Sequence, residues 1–193
     1  EAPETRAALA AFAQWDPDMF VDLHTTDGSY HGYALTYSPS LNPAGDIGPA
    51  FAGGAFVRDS LLPELRRRVR ARRGYETFDY GNFVSQDSAD RGWFTYDHRP
   101  RFGTNYYGLR NRISILSEAY SHDPFERRVK STYAFVQEIL SLVAEQRARV
   151  MQTPERARQV PIRSQMAAAP DPVGVVAEIV ERIRVAGDRR VVT

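Results

Sequence analysis

Met19-Phe20-Val21-Asp22-Leu23-His24, followed at once by Thr25-Thr26-Asp27-Gly28-Ser29, is the stretch on which the reading of the fold turns. The first six residues are mainly apolar and of strand length, and the sudden change to small polar residues marks where the strand ends. Asp16-Pro17-Asp18 stops whatever precedes it, because a proline pushes its predecessor out of the helical region. His24 is therefore expected at the carboxyl end of a buried strand, which is where open α/β sheets carry their ligands.

On the amino-terminal side, residues 5–15 predict a short helix with Leu9, Phe12 and Ala13 on one buried face. Residues 30–54 read as a long loop rich in Tyr, Ser, Pro and Gly, of the kind that is usually functional. A second helix is expected over residues 56–73, with Val57, Leu61, Leu65 and Val69 as its buried stripe, Pro63 as a kink or a fresh start, and Gly74 as its stop. Residues 75–112 are dense in aromatics and glycine. Within them residues 92–96 suggest a strand and residues 103–108 a turn-rich loop.

Arg112-Ile113-Ser114-Ile115-Leu116-Ser117-Glu118-Ala119 is a second buried-strand candidate, this one closing on a carboxylate. Asp123-Pro124-Phe125-Glu126 then reads as a helix start, with Asp as N-cap, Pro at N1 and Glu at N3. That helix is expected to run to about residue 148 with Val129, Tyr133, Val136, Leu140 and Val143 facing the core. Residues 150–172 have the composition of a Pro/Ala-rich linker. Residues 173–193 read as the start of a further small element, strands by preference, although Val176, Ile179 and Ile183 also suit a helix. The fold class expected is α/β, a mixed and mostly buried sheet flanked by helices.

Composition narrows the function less than it narrows the fold. The formal charge is +1, with Lys130 the only lysine among 25 basic residues, so no net electrostatic pull toward nucleic acid or an anionic membrane is expected. The run Arg66-Arg67-Arg68 alternates with the buried positions Leu65 and Val69, which makes it the solvated face of an amphipathic helix rather than a nucleic-acid patch. With no cysteine, disulfides and thiolate metal sites are excluded. No apolar run approaches the roughly 18 residues a spanning helix needs.

Two residues carry the chemistry. A histidine and a glutamate each end an apolar strand and precede a polar, tyrosine-bearing loop, so neighbouring strands would aim both into one crevice. A histidine nitrogen there suits Zn²⁺, and a carboxylate beside it can deprotonate water. His31, seven residues beyond His24, is expected in a supporting or surface role; His98 and His122 read as loop residues. Tyr30, Tyr33 and Tyr37 either line a substrate cleft or pack their loop.

The strings Val21-Asp22-Leu23-His24-Thr25-Thr26, Tyr96 ahead of Gly103-Thr104-Asn105-Tyr106, and Ile115-Leu116-Ser117-Glu118 occur in one order with fitting gaps. Together, across residues 1–149, they resemble the C-terminal part of the catalytic domain of zinc carboxypeptidases, the carboxypeptidase A-like metallopeptidases. Bacterial members have a segment similar to residues 24–33. The resemblance implies one Zn²⁺, with His24 as its third ligand and Glu118 as the residue that activates water. It implies that Tyr96 is the mobile tyrosine that closes over substrate, with Tyr106 and Tyr107 as alternatives, and it places Tyr30 at the substrate. A peptide or acyl-amino-acid substrate and a secreted or periplasmic setting go with it; oligomeric state is left open.

One departure is large. The family's first two ligands come from His-x-x-Glu, and here His24, His31, His98 and His122 are followed at the third position by Asp27, Ala34, Arg101 and Phe125. The remaining ligands and the substrate-binding arginines are thus expected upstream of Glu1, and the chain alone is expected to be inactive. An amidase or deacylase on the same fold, and a non-catalytic peptide-binding domain that lost the metal, are the alternatives.

Overall fold

The computed structural model describes residues 2–42, 56–83, 92–110 and 112–146. The linker and further element expected beyond residue 149 lie outside the described residues. The fold is α/β, with a four-stranded mixed sheet between helices.

Helix α1, Pro3–Trp15, opens with proline in its first turn and Glu4 beside it. It ends at Asp16, which adopts a left-handed φ of 48° so that its N–H reaches the carbonyl of Phe12. The Arg112 guanidinium binds the Asp16 carboxylate and ties this corner to the strand that follows Arg112. Only Phe12 of α1 is buried; Leu9 is half-buried and Ala13 exposed.

The main sheet has the order β1-β6-β2-β3, with β1 at Met19–Thr25, β2 at Leu35–Pro39, β3 at Thr77–Asp79 and β6 at Ile113–Ala119. All seven residues of β6, including Ser114, Ser117 and Glu118, are buried, as expected of a central strand. β6 pairs parallel with β1 and antiparallel with β2, and β2 pairs parallel with β3. Two short strands, β4 at Asn82–Phe83 and β5 at Trp93–Phe94, form a separate antiparallel pair. The strand expected over residues 92–96 is reduced to these two residues.

β1 is not the buried strand its composition suggests. It lies at the sheet edge, and its residues run from half-buried to exposed, with Leu23 at 52%. β2 is the second correction. Residues 35–39 sit inside the expected loop, yet they form a strand between β6 and β3, buried through Ser38. The polar residues of Leu35-Thr36-Tyr37-Ser38 alternate with Leu35 and Tyr37, which face the core.

That core lies on one face of the sheet. Leu35, Tyr37, Ile113 and Ile115 pack against Val57, Leu61, Leu65 and Val69 of helix α2 (residues 57–73). They also meet Phe135, Ile139 and Leu142 of helix α4, Phe125–Glu145. In α2 an α-helical centre, Leu62–Arg68, is flanked by wider π-helical turns at Val57–Leu61 and Val69–Arg73, and Gly74 closes it with φ of 71°. The predicted stripe of α2 is the observed one. Its arginines are largely paired within the chain: Arg67 and Arg68 on Glu64, Arg68 also on Glu145, and Arg72 and Arg73 on Glu138.

Glu138 itself is 1% exposed. Its two oxygens accept from Arg72 Nη1 at 3.2 Å and Arg73 Nε at 2.9 Å, so a charge inside the core is neutralised by two guanidinium groups at the end of α2.

The opposite face carries Phe20, Asp22 and His24 of β1, Thr36 and Ser38 of β2, and Ser114, Leu116 and Glu118 of β6, by strand alternation and register. It is covered in part by helix α3, Gly103–Leu109, where a turn-rich loop was expected. Tyr107 of α3 packs on Phe20 and Phe12, with ring centroids 4.0 and 4.7 Å away. Gly108 meets Ser40 so closely that any side chain there would collide with it.

The orientation of α4 differs from the sequence expectation, although Val143, expected to face the core, is packed against it. Its inward residues are Ser131, Ala134, Phe135, Glu138, Ile139 and Leu142, while Val129, Tyr133 and Leu140 are 50, 63 and 61% exposed. The helix has apolar residues on two faces, and the face that packs is the one carrying Phe135 and the paired Glu138. Asp123 does not act as the helix cap; its carboxylate accepts from Arg127 Nε at 2.8 Å, and the helix starts at Phe125. Phe135→Ala is expected to cost about 3–5 kcal/mol, whereas Tyr133→Ala stays within about 0.5 kcal/mol. Urea unfolding of both variants decides; the reverse ranking would mean that α4 packs through its other face.

Candidate functional site

The parallel register of β1 on β6 sets His24 directly beside Glu118. On the other side of β6, Thr36 of β2 stands opposite Glu118. All three side chains belong to the sheet face turned away from the main core. The two residues picked from sequence as histidine ligand and carboxylate are thus cross-strand neighbours at one end of the sheet.

Their surroundings differ. His24 is at the edge, with half of its side chain exposed, and its Nε2 lies 2.8 Å from Asp22 Oδ1. An ionised carboxylate only accepts hydrogen bonds, so Nε2 carries the proton and Nδ1 is the nitrogen left without a partner among the described residues. Glu118 is 7% exposed, and its Oε2 has no hydrogen-bond partner among the described residues. Burial pushes its carboxyl from 4.5 up to about 7; His24 pulls it back, and Asp27 and Asp22 add to the rise. Thr36 and Ser114 on the same face also bury hydroxyls with no partner among the described residues.

Two tyrosines border this carboxylate. Tyr96 donates from its hydroxyl to the Pro39 carbonyl at 3.3 Å. Burial raises its pKa, hydrogen bonds with Ser38 and Thr104 oppose the rise, and Asp22 and Glu118 add to it. Tyr80 is pushed up to about 12 by burial and by the charges of Glu118 and Asp27. The two rings meet edge to face at 5.8 Å. Sequence reasoning missed Tyr80, which lies just past a strand too short to stand out. It also missed Asp22, which strand alternation from His24 would have flagged.

Other candidates are placed elsewhere. Tyr107 is packed between α1 and β1, and Tyr106 accepts from Arg110 Nη1 at 3.3 Å. Tyr37 is core, and Tyr33 stacks on Phe78 at 4.7 Å. His31 Nδ1 accepts from the Tyr33 N–H at 3.3 Å while its ring lies on Tyr120 at 4.4 Å. Tyr30 is exposed and stacks on His122 at 3.9 Å, and His122 Nε2 bonds the Gly28 carbonyl at 2.9 Å. His98 contributes its carbonyl, which accepts from Asn42 Nδ2. Thr26 and Ser121 are joined by hydrogen bonds at 3.0 and 3.1 Å, so the loops leaving β1 and β6 are fastened together just past the site.

For a metal ion, no group of three or more His, Asp or Glu side chains is arranged to hold one among the described residues. The half-exposed His24, with Nδ1 free, fits one coordination position. No protein family, curated protein or solved structure matches this chain. No helix among the described residues is long and apolar enough to cross a membrane.

The raised Glu118 carboxyl has a consequence for folding. Between pH 4.5 and about 7 the folded chain holds a proton that the unfolded chain releases, so stability falls as pH rises through that window. A displacement of that size corresponds to about 3 kcal/mol at most. Glu118→Gln is expected to abolish this part of the pH dependence and to be more stable than the parent at pH 8. Denaturant midpoints of the two proteins that track each other from pH 4 to pH 8 would show that Glu118 is not held neutral by the fold.

Proposed function

We propose that this chain forms part of a zinc-dependent hydrolase acting on peptide or related amide bonds, with His24 as a zinc ligand and Glu118 as the general base. The observation that supports it best is the pairing of His24 beside Glu118, where the carboxyl is buried, its Oε2 has no partner among the described residues, and burial pushes its pKa up to about 7. A base poised near the working pH can both accept a proton and return it.

Zinc at such a site supplies Lewis-acid polarisation of the scissile carbonyl. His24 holds one coordination position, and the other protein ligands come from polypeptide outside the described residues, since a catalytic zinc takes about three. Glu118 takes the proton from the attacking water and passes it to the leaving amine. Tyr96 gives up its bond to the Pro39 carbonyl and donates to the bound substrate, while Tyr80 and the walls around Glu118 keep bulk water from the carboxyl.

Two measurements test this reading. The 193-residue chain is expected to bind zinc weakly and below one ion per molecule; one tightly held zinc per chain after dialysis would contradict the one-ligand assignment. In a polypeptide that supplies the remaining ligands, Glu118→Gln should lower kcat by about 10²–10⁴-fold with zinc content unchanged. His24→Ala should lose zinc and activity together. Near-parent turnover by Glu118→Gln rules out its role as base.

A further inference from the structure

We infer that Asp22 is a positioning residue for His24: its carboxylate fixes the imidazole with the proton on Nε2 and Nδ1 presented as the binding nitrogen. The inference rests on the reading of His24 as a ligand.

Three observations lead to it. Residues two apart on a strand share a face, so Asp22 and His24 project from β1 side by side, and Oδ1 lies 2.8 Å from Nε2. His24 needs such a restraint, because it ends an edge strand, half of its side chain is exposed, and no other hydrogen bond to its ring is found among the described residues. On its far side Asp22 Oδ2 faces Gly103 at the start of α3, where a Cβ would sit 3.4 Å from it.

The bond could instead be an ordinary surface ion pair, which adds little to stability and nothing to function. The two roles differ in what they move. A carboxylate that sets the tautomer of a ligating histidine changes which nitrogen is available, and loss of such a partner typically lowers metal affinity about 10–100-fold. A simple ion pair changes stability slightly and leaves the ring's tautomer as it was.

The test uses the 193-residue chain with ¹⁵N-labelled histidine at pH 8.5, where an ordinary imidazole is neutral. Long-range ¹H–¹⁵N spectra are expected to show His24 as the Nε2–H tautomer alone. Asp22→Ala should give the tautomer mixture of a free imidazole, and Asp22→Glu should restore the single form. Zinc added to the parent should displace the Nδ1 resonance, and the midpoint of that displacement should move to about 10–100-fold higher zinc in Asp22→Ala. A single Nε2–H tautomer in Asp22→Ala with an unchanged zinc midpoint would overturn the inference and leave the ligand reading intact. A His24 ring that zinc does not perturb in the parent would overturn the ligand reading, and this inference with it.

Discussion

Because β1 runs parallel to β6 with His24 opposite Glu118, both side chains are committed to the same face of the sheet. Side chains alternate strictly along a strand, so a slip of one residue would turn His24 toward the main core and bring Met19 and Val21 out of it. The apolar packing of Met19, Val21, Ile113 and Ile115 against α2 and α4 forbids that slip. The core on one face of the sheet therefore sets the chemistry on the other. The fastening of Thr26 to Ser121 just beyond the strand ends extends the same register into the loops.

The protein treats two buried glutamates in opposite ways. Glu138 of α4 has both oxygens matched by guanidinium groups of α2, so the pairing joins the two helices. Among the described residues no guanidinium or ammonium group pairs with Glu118; the neighbouring His24 favours its ionisation and two further carboxylates oppose it. Burial then acts on the proton rather than on a partner. A paired carboxylate inside a fold is an anchor, whereas an unpaired one holds a proton it can exchange near neutral pH.

The sequence was most informative where pattern and composition agree. β6 is built around Ile113, Ile115 and Leu116, α2 carries large apolar residues at helical spacing, and both are found where expected. The site's two principal residues were visible because each closes such a run. The rest was hidden for identifiable reasons. β2 contains Thr36 and Ser38 because one of its faces forms the polar floor beside Glu118, and with Tyr37 and Pro39 on the other face that composition imitates a loop. α3 is built from Gly, Thr, Asn and Tyr, weak helix formers held in place by packing of Tyr107 on Phe12 and Phe20. In α4 the more conspicuous apolar stripe is the outward one, since the inward face includes Ser131, Ala134 and Glu138. β1 has the composition of an interior strand but the position of an edge.

That outward stripe of α4 lies beside the edge of β1, where Leu23, Phe125, Val129 and Tyr133 border one open groove. It has a colloidal consequence separate from folding. A strand edge next to exposed aromatic and aliphatic groups is adhesive. Restraint by net charge is small, at +1 and with an isoelectric point near 8.3. Net repulsion between copies is therefore weakest in mildly alkaline buffer, near the isoelectric point, and grows as acidification adds positive charge.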